Sequence, residues 1–291
     1  MLGSFSDAQD LVQDTFLRAW QARDSFEGRS SFRAWLYRIA TNACLDALKH
    51  SSRRKTVLAG SPADYLSESA DLEPYPDVLL DQVAASPDGA LVERETIELT
   101  FLAVMQHLPP RQRAVLIIRD VLGWTAAETA DLLDVSVTST NSLLQRARST
   151  LQQHRPPRRS DWKRPRITDA ERDLLSRYMK AHERADANAI IALLRDDARI
   201  TMPPEQPYIG GDHSAEFFVE LLGPSGPGEW RLVPTMANRQ PAAANYLRRH
   251  GETEFRALSI DVLRIEDGRL VEVNCFFGDH MFAAFGLPLV L

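Results

Sequence analysis

The segment from Pro109 to Leu151 constrains the fold most, because it carries start and stop signals for three consecutive helices. Pro110 favours a helix start, and Gly123 suits the left-handed residue that follows a helix end. Thr125 and Glu128 have the spacing of a capping box, in which each side chain accepts a hydrogen bond from the other residue's backbone. A short second helix is therefore predicted to begin just after the first one ends.

The third helix of this segment has the polarity of a recognition helix. The preceding turn is short, and Ser136 can cap the helix that follows it. The outward face carries hydroxyl and amide groups early and arginines later, which suits contact with base edges and phosphates. These outward residues are Thr138, Ser139, Asn141, Ser142, Gln145, Arg146 and Arg148. The alternative is an ordinary helical hairpin with a solvated polar face.

The charge of the chain is unevenly distributed. The formal net charge of −6 is not the basic balance of a protein that binds DNA unaided. However, eight Lys or Arg residues and one acid lie between Arg146 and Arg166, whereas seven acids and no Lys or Arg lie between Asp64 and Asp88. Taken singly, each charge run favours solvated, flexible chain.

Two segments of altered composition divide the 291 residues into three modules. The first segment is rich in Ser, Pro, Asp and Ala and the second is basic, so both are interpreted as linkers. The modules span residues 1–50, 91–153 and 168–291, and the linkers span 51–90 and 154–167.

Several classes of protein are disfavoured. No apolar run approaches a membrane span and no signal peptide is recognisable, so the expected compartment is the cytoplasm. Cys44 and Cys275 are far apart in the sequence, and the seven histidines show no metal-binding spacing. We therefore expect no disulfide, no metal and no cofactor.

The first module is predicted to be helical, with an unusual number of aromatic residues. Its first helix has an apolar stripe on one side and a polar face on the other. The stripe, which is expected to pack against the rest of the module, consists of Leu11, Val12, Phe16, Ala19 and Trp20. In the second helix, capped by Ser30 or Ser31, large side chains such as Trp35 suit a core. The alternative is that Trp35, Tyr37, Arg38 and Asn42 face outward and form a surface for opened DNA.

The third module combines helices with a later sheet. Thr168 and Glu171 have capping-box spacing, and the Asp-Gly pair at 267–268 favours a tight hairpin between two alternating strands. Further predicted elements are a helix over 187–195, a strand over 198–202 and a helix over 214–222. Helices followed by an antiparallel sheet indicate an α+β layer with the helices on one curved face.

The first 151 residues resemble the extracytoplasmic-function sigma factors of bacterial RNA polymerase. The resemblance rests on the motifs DLVQDTFLRAW, FEGRSSFRAWLYRIATNACLDAL and LPPRQRAVLIIRDVLGWTAAETADLL, which occur in the family's order. It implies that core RNA polymerase and promoter DNA are partners, and that the helix-turn-helix reads the −35 element. It also implies that the acidic linker threads toward the RNA exit path, and that an acidic protein suffices because the polymerase supplies much of the grip on DNA.

The resemblance implies roles for two sets of residues in the first module. The surface that docks on the polymerase is expected at Asp10, Leu11, Val12, Gln13, Asp14 and Phe16. The surface that melts and binds the −10 element is expected at Arg29, Ser31, Phe32, Trp35, Tyr37, Arg38 and Asn42.

Two features depart from the family pattern. A helix usually precedes the DLVQ segment, so we expect either a misassigned start or a missing polymerase-binding helix. Asn141 and Leu143 stand where relatives often carry Lys or Arg. Fewer phosphate contacts and a shift toward amide readout, such as Asn to adenine, are expected.

The third module resembles the SnoaL-like polyketide cyclases of the nuclear-transport-factor-like cone fold, through HERADANAIIALLRDDARITMPP and VLRIEDGRLVEVNCFFG. The resemblance implies a cone with a pocket, expected to be lined by His182, Met202, Tyr208, Trp230, Asn274 and Phe276, and a small-molecule ligand as a further partner. His182, Asp212 and His213 are titratable, but nothing in the spacing pairs them, so no catalytic residue is predicted.

The leading hypothesis is a multidomain sigma factor. Two all-α modules joined by a flexible linker, the second a helix-turn-helix, precede an α+β cone-fold domain that regulates initiation and is not an enzyme. One alternative is a cone-fold cyclase or isomerase fused to a DNA-binding module. Another is a ligand-sensing helix-turn-helix repressor or activator without polymerase docking, which would need neither segment of the first module.

Overall fold

The computed structural model describes residues 1–28, 30–51, 72–84, 99–154, 167–203, 205 and 207–291. The N-terminal half is helical in these ranges, with α1 (Phe5–Gln21), α2 (Phe32–Ser51), α3 (Asp77–Ala84), α4 (Leu99–Gln106), α5 (Pro110–Leu116), α6 (Ala126–Leu133) and α7 (Val137–His154). The C-terminal half has helices α8 (Asp169–Glu183), α9 (Ala187–Ile191) and α10 (Gly211–Leu222), and strands β1 (Leu194–Thr201), β2 (Tyr208–Ile209), β3 (Gly228–Ala237), β4 (Gln240–Arg249), β5 (Arg256–Glu266) and β6 (Arg269–Phe277). No helix in the part of the chain that the structure describes is long and apolar enough to cross a membrane.

The helix-turn-helix forms where the local signals predict it. Both arms of the capping box between Thr125 and Glu128 are present, and the Ser136 hydroxyl accepts a hydrogen bond from the Ser139 backbone N–H at 3.1 Å. Helix α5 continues into a π-helical turn that ends before Gly123, whose φ of +71° is the left-handed conformation expected there. The core of this module includes Ala114, Ile118, Leu132, Leu144 and Ala147.

The apolar stripe predicted to pack on α1 is mostly exposed, so that prediction is wrong. The residues buried against the rest of the module are Thr15 and Ala19. Val12, Phe16 and Trp20 are 53%, 59% and 68% exposed. Because these three residues recur every four positions, they form one apolar ridge on the outer surface of the helix.

The C-terminal half contains one six-stranded sheet in the order β2-β1-β6-β5-β4-β3. The predicted hairpin between β5 and β6 is present, with Asp267 and Gly268 at φ +48° and +73°. The sheet is mixed, because β1 runs parallel to β6, and β1 begins at Leu194, within the region predicted to be helical. The hairpin of β3 and β4 was not predicted, since β4 is buried on both faces over most of its length and shows no alternation.

The two faces of this sheet are covered by different parts of the chain. The inner face packs against α8 and α10, with Leu174, Tyr178 and Phe218 in its core. The outer face packs against Ala103 and Val104 of α4, together with Leu72, Met281 and Phe282. The expectation of helices on one face only is therefore incomplete, because helices of the N-terminal half cover the other face.

Part of the segment predicted as a linker is built into the fold. The extended residues Leu72–Pro76, here called the strap, lead into α3 and lie between α1 and the β3–β4 hairpin. The Glu73 carboxylate accepts hydrogen bonds from the backbone N–H groups of Phe5 and Ser6 at 2.6 and 3.1 Å. Tyr75 exchanges backbone and side-chain hydrogen bonds with Asn238 at 2.8 and 2.9 Å. The strap thus joins the first module to the C-terminal sheet.

Candidate nucleic-acid interface and cone cavity

The outward face of α7 is arranged as the sequence predicts. All seven residues proposed to read DNA are exposed, whereas Thr140, Leu144 and Ala147 are buried on the opposite side of the helix. The hydroxyl and amide groups lie toward the N-terminal end of α7, which is the end that enters a groove in helix-turn-helix proteins.

Arg148 differs from the other residues of that face. Its guanidinium donates two hydrogen bonds to the Asp120 carboxylate, at 2.9 and 2.7 Å. These hydrogen bonds raise the pKa of Arg148 above its usual value. The side chain therefore fixes α7 against the π-helical turn that follows α5.

The proposed −10 surface lies on α2 and the loop before it. Ser31, Phe32, Arg38 and Asn42 are exposed, and Trp35 and Tyr37 are half-buried. Arg29 lies outside the described residues. Phe26 joins the aromatic side chains of Phe32 and Trp35, with ring centroids 5.2 to 6.0 Å apart.

Helix α2 also contacts the helix-turn-helix directly. Arg38 donates hydrogen bonds to the backbone oxygen and the carboxylate of Asp131 at 2.9 and 2.7 Å. The rings of Tyr37 and Trp124 lie 5.4 Å apart. Two side chains proposed to bind the −10 element are therefore engaged by the module proposed to bind the −35 element.

On α1, the residues proposed to dock on the polymerase are accessible. Asp10, Val12, Gln13 and Phe16 are exposed, and Leu11 and Asp14 are partly exposed. An ion pair of 2.7 Å with Arg18 engages Asp14. The surface therefore combines the apolar ridge with flanking acidic and amide groups.

The inner face of the sheet and α8 and α10 enclose a cavity of about 260 Å³. His182, Met202 and Trp230 line it, as predicted. Tyr208, Asn274 and Phe276 do not. Tyr208 packs on Phe217 instead, with ring centroids 5.0 Å apart.

Strand alternation explains the two wrong assignments on β6. Successive side chains of a strand point to opposite faces, so Cys275 and Phe277 line the cavity while the residues between and before them face away. Asn274 accepts a hydrogen bond from Thr201 at 2.6 Å, and Phe276 belongs to the outer face. The predicted face was off by one residue.

Sequence reasoning missed most of the polar lining of the cavity. These residues are Tyr178, Asn245, Ser259, Asp261 and Cys275. Tyr178 lies on α8, the helix that follows the Thr168 capping box, and Asp261 lies between the apolar residues Ile260 and Val262 of β5. An acid at a buried strand position was the one local signal of a polar site.

The deep part of the cavity contains three titratable groups, Tyr178, His182 and Asp261, whose charged forms are disfavoured by burial. Tyr178 donates a hydrogen bond to Asp261 at 2.8 Å. Burial raises the pKa of Asp261, partly offset by hydrogen bonds from Asn245, Tyr178 and Cys275, and it raises the pKa of the Tyr178 hydroxyl well above its usual value. Burial lowers the pKa of His182 to about 3, so its ring is neutral near pH 7.

Five buried polar atoms around the cavity have no hydrogen-bond partner among the described residues: both ring nitrogens of His182, Nε1 of Trp230, Oδ1 of Asn245 and Oδ1 of Asp261. The cost of one such unpaired atom is about 1–3 kcal/mol.

The other titratable candidates are not brought to this cavity. Asp212 and His213 are exposed on the first turn of α10 and are not among the lining residues. Across the described ranges, no three His, Cys, Asp or Glu side chains are grouped as a metal site requires. Cys44 and Cys275 are free thiols.

Comparison with known proteins gives three family matches in chain order. Residues 1–54 match sigma-70 region 2, residues 98–151 match sigma-70 region 4, and residues 175–273 match the SnoaL-like domain. The chain is similar to the ECF RNA polymerase sigma factor SigG of Mycobacterium tuberculosis, with 43% identity over 99% of this chain and 79% of the relative. It is 26% identical to SigJ of the same organism, over 93% of this chain and 83% of SigJ. The crystal structure of SigJ matches with a TM-score of 0.60 at 21% identity, over 99% and 92% of the two chains.

Proposed function

The chain belongs to the extracytoplasmic-function sigma factors of bacterial RNA polymerase, and we propose that the arrangement described above is a closed state of such a factor. As a sigma factor it binds core RNA polymerase and promoter DNA and directs transcription initiation. The observation that carries the proposal is the contact of Arg38 with Asp131, because it joins the two promoter-reading modules.

Distance supports the closed state. The −10 and −35 elements lie about 25 base pairs apart, as their designations state, which is roughly 85 Å of B-form DNA at 3.4 Å per base pair. Tyr37 and Trp124, one from each module, are in ring contact. Modules in contact cannot face DNA segments separated by that distance, so they must separate before both elements are read.

The C-terminal domain is proposed to hold the closed state from the outer face of its sheet. Ala103 and Val104 of α4 are buried there, which attaches the −35 module to the sheet. The strap attaches the first module, because Glu73 binds the start of α1 while Tyr75 pairs with Asn238. One domain thus restrains both modules, which is the expected geometry of an internal regulator.

For promoter DNA, we assign base-edge contacts to the early polar residues of α7 and phosphate contacts to Arg146. Arg148 acts as a positioning residue through Asp120. Arg146→Ala is expected to reduce the salt dependence of −35 binding by about 0.9 in the slope of log K against log salt, the value for one phosphate. Asp120→Ala tests Arg148 separately, since loss of a positioning contact weakens binding without removing a positive charge.

For polymerase docking, the apolar ridge of α1 is the supporting feature. Val12 and Phe16 are more than half exposed, and they lie beside Asp10 and Gln13. A helical ridge of this kind suits a helical partner.

The cone domain belongs to a family that includes enzymes, and we propose that here it does not turn over a substrate. At neutral pH His182, with a pKa lowered to about 3, lacks the imidazolium proton that a general acid donates, and it is a weak base. Asp212 and His213 are exposed and lie away from the cavity lining. Turnover that is lost in His182→Gln would instead support a cyclase or isomerase.

The test measures the separation of the modules during initiation. Fluorescent labels are placed on α2 and α7 through Ala47→Cys and Ser149→Cys in a Cys44→Ser background, and run-off transcription with core polymerase is followed in parallel. We expect efficient energy transfer in the free chain and a large loss of transfer in the active holoenzyme. Unchanged transfer in an active holoenzyme would contradict the closed state, and absence of initiation on any promoter of a genomic pool would contradict the sigma-factor function.

A further inference from the structure

The N-terminal end of α1 is capped by a carboxylate from a distant part of the chain. The first N–H groups of a helix have no acceptor within the helix itself. Oε2 of Glu73 accepts hydrogen bonds from the backbone N–H groups of Phe5 and Ser6 at 2.6 and 3.1 Å. The Ser4 hydroxyl accepts one from the Asp7 backbone N–H at 3.0 Å. Three N–H groups at this end are therefore bonded to side chains, and Glu73 accepts two of these three bonds.

The first two turns of α1 depend on this capping because packing begins later in the helix. Residues 7–10 are exposed, and the buried residues of α1 are Thr15 and Ala19. A helix end that packing does not hold opens readily, so its stability depends on its caps. Asp10 and Val12 of the proposed docking surface precede the first buried residue. The caps therefore hold the part of the docking surface that the core of the module does not hold.

Glu73 is itself fixed by its surroundings. Its side chain is 16% exposed, and its backbone N–H donates a hydrogen bond to the Gly3 carbonyl at 3.1 Å. Its second carboxylate oxygen, Oε1, lies 3.2 Å from Nε2 of His280. A Cβ atom at Gly278 would lie 2.5 Å from Cε1 of His280, so the glycine leaves room for the ring. The strap and the C-terminal domain thus hold the carboxylate at the start of α1.

A carboxylate is well suited to this position. The N-terminal end of a helix carries a partial positive charge, and hydrogen bonds from backbone N–H groups to an ionised acceptor are stronger than neutral ones. The carbonyl oxygen of a glutamine has the same reach and accepts the same bonds, whereas an alanine accepts none. Substitutions at Glu73 can therefore separate the cap from the other contacts of the strap.

We propose that Glu73 is a positioning residue for polymerase docking: its carboxylate caps α1 and keeps the first two turns of the docking helix formed. This role rests on the docking surface proposed for α1. It does not require the two promoter-reading modules to touch each other, because Arg38 and Asp131 take no part in the cap.

The test compares Glu73→Ala and Glu73→Gln in the full chain. Hydrogen exchange of the Phe5 and Ser6 amides is followed in ¹⁵N-labelled protein, and the dissociation constant for core RNA polymerase is measured with the same variants. Glu73→Ala should accelerate exchange of both amides about tenfold and weaken docking about three- to tenfold, as loss of a helix cap does. Glu73→Gln should keep both within about twofold of the wild type, because its carbonyl oxygen accepts the same hydrogen bonds.

Glu171→Ala is the matched control, because it removes a capping carboxylate of the same kind from α8. Glu171 accepts a hydrogen bond from the Thr168 backbone N–H at 2.6 Å. This variant should leave polymerase docking unchanged, and the dispersion of the amide spectrum shows whether each variant is folded. Folded Glu73→Ala protein that docks like the wild type overturns the proposal. Equal weakening by Glu73→Gln and Glu73→Ala also overturns it, since the hydrogen-bond acceptor would then not be the determinant.

The closed state is judged by a separate measurement. Low energy transfer between the α2 and α7 labels in the free wild-type chain would contradict the closed state, and the effect expected of Glu73→Ala on docking would be the same. Unchanged docking in Glu73→Ala together with efficient energy transfer would overturn the role of Glu73 and leave the closed state in place.

Discussion

The inner and outer faces of the C-terminal sheet are built on the same strands, but they differ in how completely their side chains are packed. On β4, Asn245 and Leu247 point into the cavity, while Tyr246 between them packs on Phe282 of the outer face, with ring centroids 5.2 Å apart. The Tyr246 hydroxyl donates a hydrogen bond to the Pro288 carbonyl at 2.8 Å. The outer face is therefore filled, whereas the inner face keeps a void lined by unpaired polar atoms.

This difference indicates how the domain divides its tasks. An unpaired buried polar atom lowers stability, so a face that keeps several of them does not contribute as much as its buried area suggests. The outer face, by contrast, gains stability from closely packed side chains that belong partly to α4 and the strap. The contacts that attach the sigma modules to the domain are thus made at the outer face.

The largest expected effect comes from matched aliphatic truncations on the two faces. Ile260→Ala on the outer face should lower the free energy of unfolding by about 4 kcal/mol, and Leu247→Ala on the inner face by about 2 kcal/mol, since Leu247 already borders a void. Native-state hydrogen exchange of the β4 and β5 amides measures both losses. Equal losses would mean that the inner face is packed as closely as the outer one.

The pH dependence of stability tests the inner face next. His182 has a pKa lowered to about 3 in the folded protein, against 6.5 in the unfolded chain, so below pH 6.5 the unfolded state binds the extra proton. Stability should therefore fall by about 2 kcal/mol between pH 7 and pH 5. Urea unfolding monitored by the sheet amides at both pH values checks this, with His182→Gln as the variant in which this contribution disappears. An identical pH dependence in both proteins would exclude a buried neutral His182.

The attachment of α3, the helix into which the strap leads, should have a smaller effect. Arg239 donates a backbone hydrogen bond to Asp77 at 2.8 Å and pairs with Asp81 at 2.5 Å. Arg239→Ala should weaken the closed state by about 1 kcal/mol, an increase of roughly fivefold in the open population and in run-off transcript. The control is Arg248→Ala at the opposite end of the same hairpin, which removes an ion pair with Glu229 and should leave initiation unchanged. The same rise in both variants would point to general destabilisation of the hairpin.

The smallest effect is expected at the contact between the two promoter-reading modules. Arg38 and Asp131 are exposed, so their ion pair is worth at most about 1 kcal/mol. Asp131→Ala should lower the closed-to-open ratio two- to threefold. This change is measured as a loss of energy transfer between labels on α2 and α7. A double-mutant cycle with Arg38→Ala isolates the pair, and a coupling energy of zero would leave the outer face as the determinant of closure.

The helix-turn-helix could be predicted residue by residue, because its signals act within a few positions of the chain. The Thr125 capping box, the Ser136 cap and the left-handed Gly123 each satisfy or release nearby backbone groups. The cavity could be predicted only in part. His182 and Trp230 belong to it, but a shift of one residue on β6 placed Asn274 and Phe276 on the wrong face.

The β3–β4 hairpin and the ridge of α1 show why the remaining features could not be predicted. Alternation identifies a strand only when one of its faces is in water, and β4 has neighbours on both faces. An apolar stripe on a helix indicates that something covers it, without saying what. On α1 the ridge of Val12, Phe16 and Trp20 stays uncovered in the isolated chain, and we attribute this to its docking on the polymerase.

The sequence by itself determined where the helices of the helix-turn-helix begin, where the Asp267-Gly268 turn lies and which face of α7 is polar, because backbone hydrogen bonding and local sterics decide these features over a few residues. The tertiary structure alone decided that Arg38 is engaged by Asp131, that the strap joins α1 to the β3–β4 hairpin, and that the sheet has one filled face and one hollow face. These features depend on which distant segments exclude water from each surface, and burial of that kind is a property of the assembled chain.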